Sequence, residues 1–230
     1  MKTVYSILIA CCVTGLMACS SQAQTSNLSV IEFEKAIAQS NIQLLDVRTP
    51  GEYQSGHLSN ALQANWNDEA QFKDRAKSLD KNKPVYTYCL SGARSNAATT
   101  WLRSNGFTAY NLTGGINAWK IAGKPVEMAK QVKQISMEEY MAQIPASKTV
   151  LVDIGAAWCP PCKKMGPVVD SLAAAHASQF ALVKVDGGEQ TNICAALKVD
   201  AFPTFIVYKN GKETWRKQGL VEAKELLSKL

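Results

Sequence analysis

The chain has 230 residues, 47% of them hydrophobic, 19% charged and 8% aromatic, with 14 Gly and 8 Pro. Those proportions exclude a disordered, collagen-like or coiled-coil chain, and the length allows one large domain or two small ones. The formal charge of +6 is spread along the sequence, a solubility feature that calls for no nucleic acid.

Met1-Lys2 is followed by an apolar run from Val4 to Ala18 and then by Cys19-Ser20-Ser21. The run is too short to span a bilayer as a helix and has the layout of an export signal. Leu16-Met17-Ala18-Cys19 resembles the lipobox of bacterial lipoproteins. That resemblance implies a signal over residues 1–18, lipidation of Cys19 and a polar tether over 19–27. It would place the protein on the periplasmic side of a bacterial envelope, touching membrane only through the lipid. An ordinary signal cut near Ala23, with release of the protein, is the other reading.

The next elements alternate. Asn27 to Gln39 has a helical period with Ser29-x-x-Glu32 as a capping box. Gln43 to Val47 predicts a strand, with Arg48 to Gly51 as a turn. Pro84 to Tyr88 predicts a second strand, Ser95 to Asn105 a helix, and Ala109 to Leu112 a third strand. Gly114-Gly115 opens a short helix through Trp119 that ends at Gly123. This order gives a parallel α/β sheet.

The second strand runs straight into Cys89-Leu90-Ser91-Gly92-Ala93-Arg94 and then a helix. Backbone N–H groups of such a loop converge on the sulfur, and the helix start adds positive potential. That combination favours thiolate or persulfide. Leu45 to Tyr53 (LDVRTPGEY), Gly56-His57-Leu58, the Cys89 loop and Leu112 to Trp119 (LTGGINAW) together resemble a single-domain rhodanese over residues 28–127. The resemblance implies Cys89 as persulfide carrier with Gly92 and Arg94 shaping its loop, and Asp46, Arg48, Glu52 and His57 as structural. One departure is Asn60, where the family pattern usually has Gly before Ala61.

Residues 128–134 read as a polar linker, after which the pattern restarts. Ser136-x-x-Glu139 caps a helix, and Thr149 to Ile154 is a buried strand. Trp158-Cys159-Pro160-Pro161-Cys162 leads into a helix reaching about Ser178, with Pro167 as a kink. Phe180 to Val185 predicts a strand, Glu189 to Val199 a helix, Thr204 to Tyr208 a strand, Asn210-Gly211 a hairpin turn, and Val221 to Leu230 a closing helix.

Of the seven Cys, Cys11 and Cys12 leave with the signal, and Cys19 is the lipid site. Cys89, Cys159, Cys162 and Cys194 remain, and no His lies near any of them, so the spacing makes no zinc site and no cofactor is expected. Two Cys three apart at a helix start form a redox pair. The first lies nearest the unpaired N–H groups and attacks, and the second resolves. Cys194 sits beside Ile193 and near Leu197, as a small core hydrophobe. Val150 to Asp153, Trp158 to Lys163 (WCPPCK), Pro167 and Ala201-Phe202-Pro203-Thr204 resemble thioredoxin over residues 135–230. The resemblance implies a cis Pro203 beside the dithiol, Asp153 as acceptor of the resolving cysteine's proton, and a role for Trp158. Pro160-Pro161 departs from the Gly-Pro of common thioredoxins.

The expected fold is therefore two small α/β domains, a rhodanese-like parallel sheet followed by a thioredoxin fold. The expected activity is envelope sulfur transfer coupled to thiol-disulfide chemistry. Cys89 would take sulfur from thiosulfate or a persulfide, and the Cys159/Cys162 dithiol would reduce that persulfide or the disulfides of envelope proteins. The alternative is a thiol-disulfide oxidoreductase for envelope proteins, with the first domain as a docking or sensing module.

Overall fold

The computed structural model describes residues 26–128 and 132–230. The export signal, Cys19 and most of the tether lie outside the described residues. Among those residues no helix is long and apolar enough to cross a membrane.

The first domain is a five-stranded, wholly parallel sheet in the order β1-β5-β4-β2-β3. The strands are β1 (Asn27–Leu28), β2 (Gln43–Asp46), β3 (Leu62–Gln63), β4 (Val85–Tyr88) and β5 (Ala109–Leu112). Its helices are α1 (Val30–Ile37), α2 (Pro50–Gln54), α3 (Glu69–Ala76), α4 (Ala93–Ser104) and α5 (Gly115–Ile121). Helices cover both faces, so consecutive strand residues are buried on opposite sides. Leu44 joins a core with Phe33, Tyr53, Tyr88, Leu112 and Trp119, whereas Leu45 joins one with Phe72, Val85 and Leu102.

The second domain has helices α6 (Met137–Ala142), α7 (Pro160–Ala175), α8 (Thr191–Ala196) and α9 (Ala223–Leu227). Its strands are β6 (Thr149–Gly155), β7 (Phe180–Asp186), β8 (Thr204–Lys209) and β9 (Lys212–Gln218), in the order β7-β6-β8-β9. β6 runs parallel to β7 and antiparallel to β8, which pairs antiparallel with β9. Alternation again sorts the core: Val150, Val152 and Ile154 face Tyr140 and Ile193, while Leu151 faces Met165, Val169 and Phe205. Asn210 and Gly211 both have positive φ, the turn geometry that the β8–β9 hairpin needs.

Several expectations shift. Arg48 to Gly51 is no simple turn, because Pro50 starts α2, capped by Thr49 in a full capping box with Glu52. Asn27, expected in the tether, pairs with Asn111 in β1. Lys133 and Gln134, expected in the linker, are held by the second domain: the Lys133 carbonyl accepts from Gln190 Nε2 at 3.1 Å, and Gln134 Nε2 donates to the Glu189 carbonyl at 2.7 Å. The long helix stops at Ala175 and not near Ser178, and α8 and α9 are shorter than the 189–199 and 221–230 segments expected. Asn60 has φ +60°, which explains its exchange with Gly, since Asn tolerates the left-handed region better than other side chains.

Candidate active sites and the element between them

β4 delivers Cys89 to the end of the first sheet, where its side chain is buried. Gly92 caps α4 with φ +97°, a conformation that turns its N–H toward the Cys89 sulfur at 3.1 Å. Gly115 is equally required, because a Cβ there would stand 2.5 Å from the Cys89 carbonyl oxygen. Burial pushes the thiol up, but the Ser95 hydroxyl and N–H, with the Ser91 and Gly92 N–H groups, outweigh it and hold the thiol below its ordinary value. The loop therefore stabilises a sulfur anion.

Arg94 does not close over that sulfur alone. Its guanidinium grips Glu52 with both arms, at 2.9 and 2.7 Å. Arg94 holds the Glu52 carboxyl down to about 2 against the cost of its burial, and the Thr49 N–H and hydroxyl add to this. Glu52 thus belongs to the site, although its motif suggested only a structural part. Removing its charge leaves Arg94 free to serve the thiolate. Glu52→Gln is expected to lower the Cys89 thiol pKa further, read from the pH dependence of Cys89 alkylation. A rise would show that Glu52 positions Arg94 more than it neutralises it.

Asp46 and Arg48 form a buried pair behind the loop. Arg48 Nη2 lies 2.5 Å from Asp46 Oδ2 and 2.7 Å from the Gly56 carbonyl, which fixes the end of β2. His57 stacks on Tyr53 at 3.8 Å between ring centres.

In the second domain Cys159 is the N-cap of α7, and its sulfur lies 3.3 Å from the Cys162 N–H. Cys159 and Cys162 are disulfide-bonded. Pro160 and Pro161 fill the first turn, where a missing N–H costs little. The Phe202–Pro203 bond is cis, and the Phe202 carbonyl lies 3.6 Å from Cys159 Sγ. Beneath the pair sits Asp153, pushed up to about 6 by burial, a rise that Lys184 opposes and Asp170 reinforces. A Cβ on Gly155 would stand 3.3 Å from Cys162 Sγ and 3.9 Å from Asp153 Oδ1, so glycine keeps the space between carboxyl and sulfur open. Cys194 is buried against the Gly187 carbonyl, with its thiol pushed up by burial.

Cys89, Gly92 and Arg94 form one site; Cys159, Cys162, Asp153, Trp158 and Pro203 form another. The short helix α2 reaches both. Glu52 holds Arg94, Tyr53 packs against Trp158 at 5.6 Å between ring centres, and Gln54 Nε2 donates to the Gly188 carbonyl at 3.3 Å.

Comparison with known proteins agrees with this division. Residues 29–122 match the rhodanese-like domain family, and residues 131–230 match the thioredoxin family. A thioredoxin-like protein of Synechocystis is 30% identical over 103 residues, 45% of this chain and 96% of that protein. The thioredoxin of Chlamydia trachomatis is 36% identical over 94 residues, 41% of this chain and 91% of that protein. The chain belongs to the thioredoxin family and carries a rhodanese-like domain ahead of it.

The chloroplastic thioredoxin Y of rice is 33% identical over 102 residues, 44% of this chain, and the match spans only 60% of that protein. Among solved structures, a rhodanese-like domain protein from Staphylococcus aureus is 29% identical with a TM-score of 0.40, covering 46% of this chain and all of its own. A thioredoxin from Nicotiana alata is 32% identical with a TM-score of 0.36, over 40% of this chain and 80% of its own.

Proposed function

We propose that the rhodanese-like domain is a sulfurtransferase whose persulfide is reduced by the thioredoxin dithiol. The observation that carries this reading is the Cys89 cradle, a thiol held below its ordinary value in the same chain as an N-capped dithiol. Cys89 thiolate attacks the outer sulfur of thiosulfate and releases sulfite, which leaves a persulfide on Cys89. Cys159 thiolate then attacks the inner sulfur, releasing hydrosulfide and forming a Cys89–Cys159 disulfide. Cys162 thiolate attacks Cys159, which frees Cys89 thiolate and leaves the Cys159–Cys162 disulfide. Two electrons have passed from the dithiol to the sulfane sulfur, and an external dithiol must restore them. A persulfide donor would load Cys89 in the same way, with a thiolate as leaving group. The site of action we propose is the bacterial envelope, with Cys19 lipidated and envelope disulfides as further substrates.

The test is a trap. Reduced Cys162→Ser protein, given thiosulfate, should accumulate a Cys89–Cys159 disulfide seen as a linked peptide pair in the mass spectrum. Absence of that pair, with persulfide still found on Cys89, would leave the two domains serving separate partners.

A further inference from the structure

The chemistry above needs Cys159 to be reachable, yet its side chain has 0% exposure. Its neighbours show what covers this face. Pro160 is buried, and with Lys163 it lines a cleft shared with Leu62, Leu79 and Lys83 of the rhodanese-like domain. Trp158 is held more specifically. β3 is the edge strand of the first sheet, and the N–H of Ala64 turns inward to Asp46, so both backbone groups of Gln63 face outward. The outward N–H donates to the Trp158 carbonyl at 2.8 Å, and the outward carbonyl accepts from Arg75 Nη1 at 3.1 Å. Arg75 also donates to the Gln63 side chain, and its guanidinium lies over the Trp158 ring at 5.2 Å. Arg75 is buried, and among the described residues no carboxylate pairs with it. Its charge is answered at contact by the Gln63 oxygens and the indole face, and at longer range by Asp74 and Asp68.

This arrangement also keeps the two sulfur sites apart. Asp46 pairs with Tyr88 on one side and with Gln63 on the other, so Tyr88, the residue before Cys89, stands two strand spacings from β3. Adding the step to the Trp158 backbone puts Tyr88 and Trp158 about 14 Å apart, so Cys89 and Cys159, each one residue further on, come no closer than about 7 Å at Cα. A disulfide needs Cα atoms within about 7 Å. In the docked form a bond between Cys89 and Cys159 stands at best at the limit of that reach, and a Cys159 with no exposure admits no outside disulfide.

We propose that Arg75 is the positioning residue of a latch, in which the Gln63 edge and the Arg75 cation hold the Trp158 loop closed and set how often Cys159 becomes available. The proposal rests on Cys159 as the attacking thiol of the reading above, but not on its partner being Cys89. Opening would expose the Gln63 edge groups to water and free the dithiol for either substrate.

The experiment is alkylation of Cys159 by iodoacetamide in the reduced full-length protein, without a sulfur donor, followed at the peptide level. In wild type the rate should be at least tenfold below that of free cysteine at the same pH. Arg75→Met should raise it roughly tenfold, the scale of one desolvated cation–π contact. Gln54→Ala, which loses only the bond to the Gly188 carbonyl, should raise it by a smaller factor. Loading of Cys89 by thiosulfate reports that the first domain remains folded. A merely structural role for Arg75 would couple any gain in Cys159 reactivity to a loss of that loading, because an unfolded first domain no longer covers the pair. Wild-type Cys159 alkylating as fast as free cysteine overturns the latch. So does an unchanged rate in Arg75→Met that still loads Cys89, or in Gln54→Ala if Arg75→Met does not fold. Latch variants that speed alkylation while the Cys162→Ser trap stays empty would uphold the latch and refute the relay.

Discussion

Cys89→Ser should cut thiosulfate-dependent sulfur transfer by roughly 10³-fold or more, the scale of losing a covalent nucleophile. Reduction of insulin disulfides by the same variant should stay within about twofold of wild type, as expected for a substitution that leaves α2 and the Trp158 loop untouched. The substitution exchanges one second-row atom in a pocket of N–H donors, so Gly92 and the turn it caps retain an acceptor. The fold of the loop should survive and only the chemistry be lost. An oxygen in that cradle is still a poor nucleophile, because a serine hydroxyl stays protonated where the thiol is held below its ordinary value. Undiminished transfer would remove Cys89 as sulfur carrier and favour the docking or sensing reading of the first domain. A parallel fall in insulin reduction would show that the cradle also controls the dithiol.

The route for such control is α2, and it is the part of the molecule that sequence reveals least. Cys89, Gly92 and Arg94 are legible because a strand, a tight loop and a helix start occur in immediate succession. Cys159 and Cys162 are legible for the same reason, since a helix N-terminus needs only local sequence to be placed. The Thr49-x-x-Glu52 capping box was equally local, but Pro50-Gly51 gave a stronger turn signal and hid a helix of one and a half turns. β3 has two residues, too few for any alternation to register. Arg75 lies in the polar run Lys73-Asp74-Arg75-Ala76-Lys77, which reads as a solvated helix face. One of the groups that cover it is Trp158, more than eighty positions away in another domain, and contacts of that kind leave no periodicity in either segment. The edge of β3, α3 and α2 together make the interface, and none of them carries a sequence signal for it.

Asp153→Asn should separate stability from turnover in the thioredoxin half. The Asp153 carboxyl is pushed up to about 6, chiefly by burial, from an ordinary value of 3.8. Between those two values the folded protein holds a proton that the unfolded chain has released, so stability falls as pH rises from about 4 to 6. Above 6 the cost is fully present and amounts to about 2–3 kcal/mol. Asparagine carries no charge to desolvate, so Asp153→Asn should be more stable than wild type by that amount at pH 8 and nearly equal to it below pH 4. Thermal or denaturant unfolding at the two pH values checks the difference. The dithiol reaction should move the opposite way. Asp153 shares the space above Gly155 with Cys162 and, once ionised, can accept the proton that Cys162 must lose before it resolves a mixed disulfide. Wild-type turnover should therefore rise through an inflection near pH 6, and Asp153→Asn should lose that inflection and fall by about 10²-fold at neutral pH. A variant that is stabilised but keeps both the inflection and the rate would assign the proton to another base. One that loses activity without gaining stability at pH 8 would mean that Asp153 is charged in the folded state at little cost. The buried carboxyl is a liability for the fold that the resolving step explains, and the two measurements taken together test that exchange.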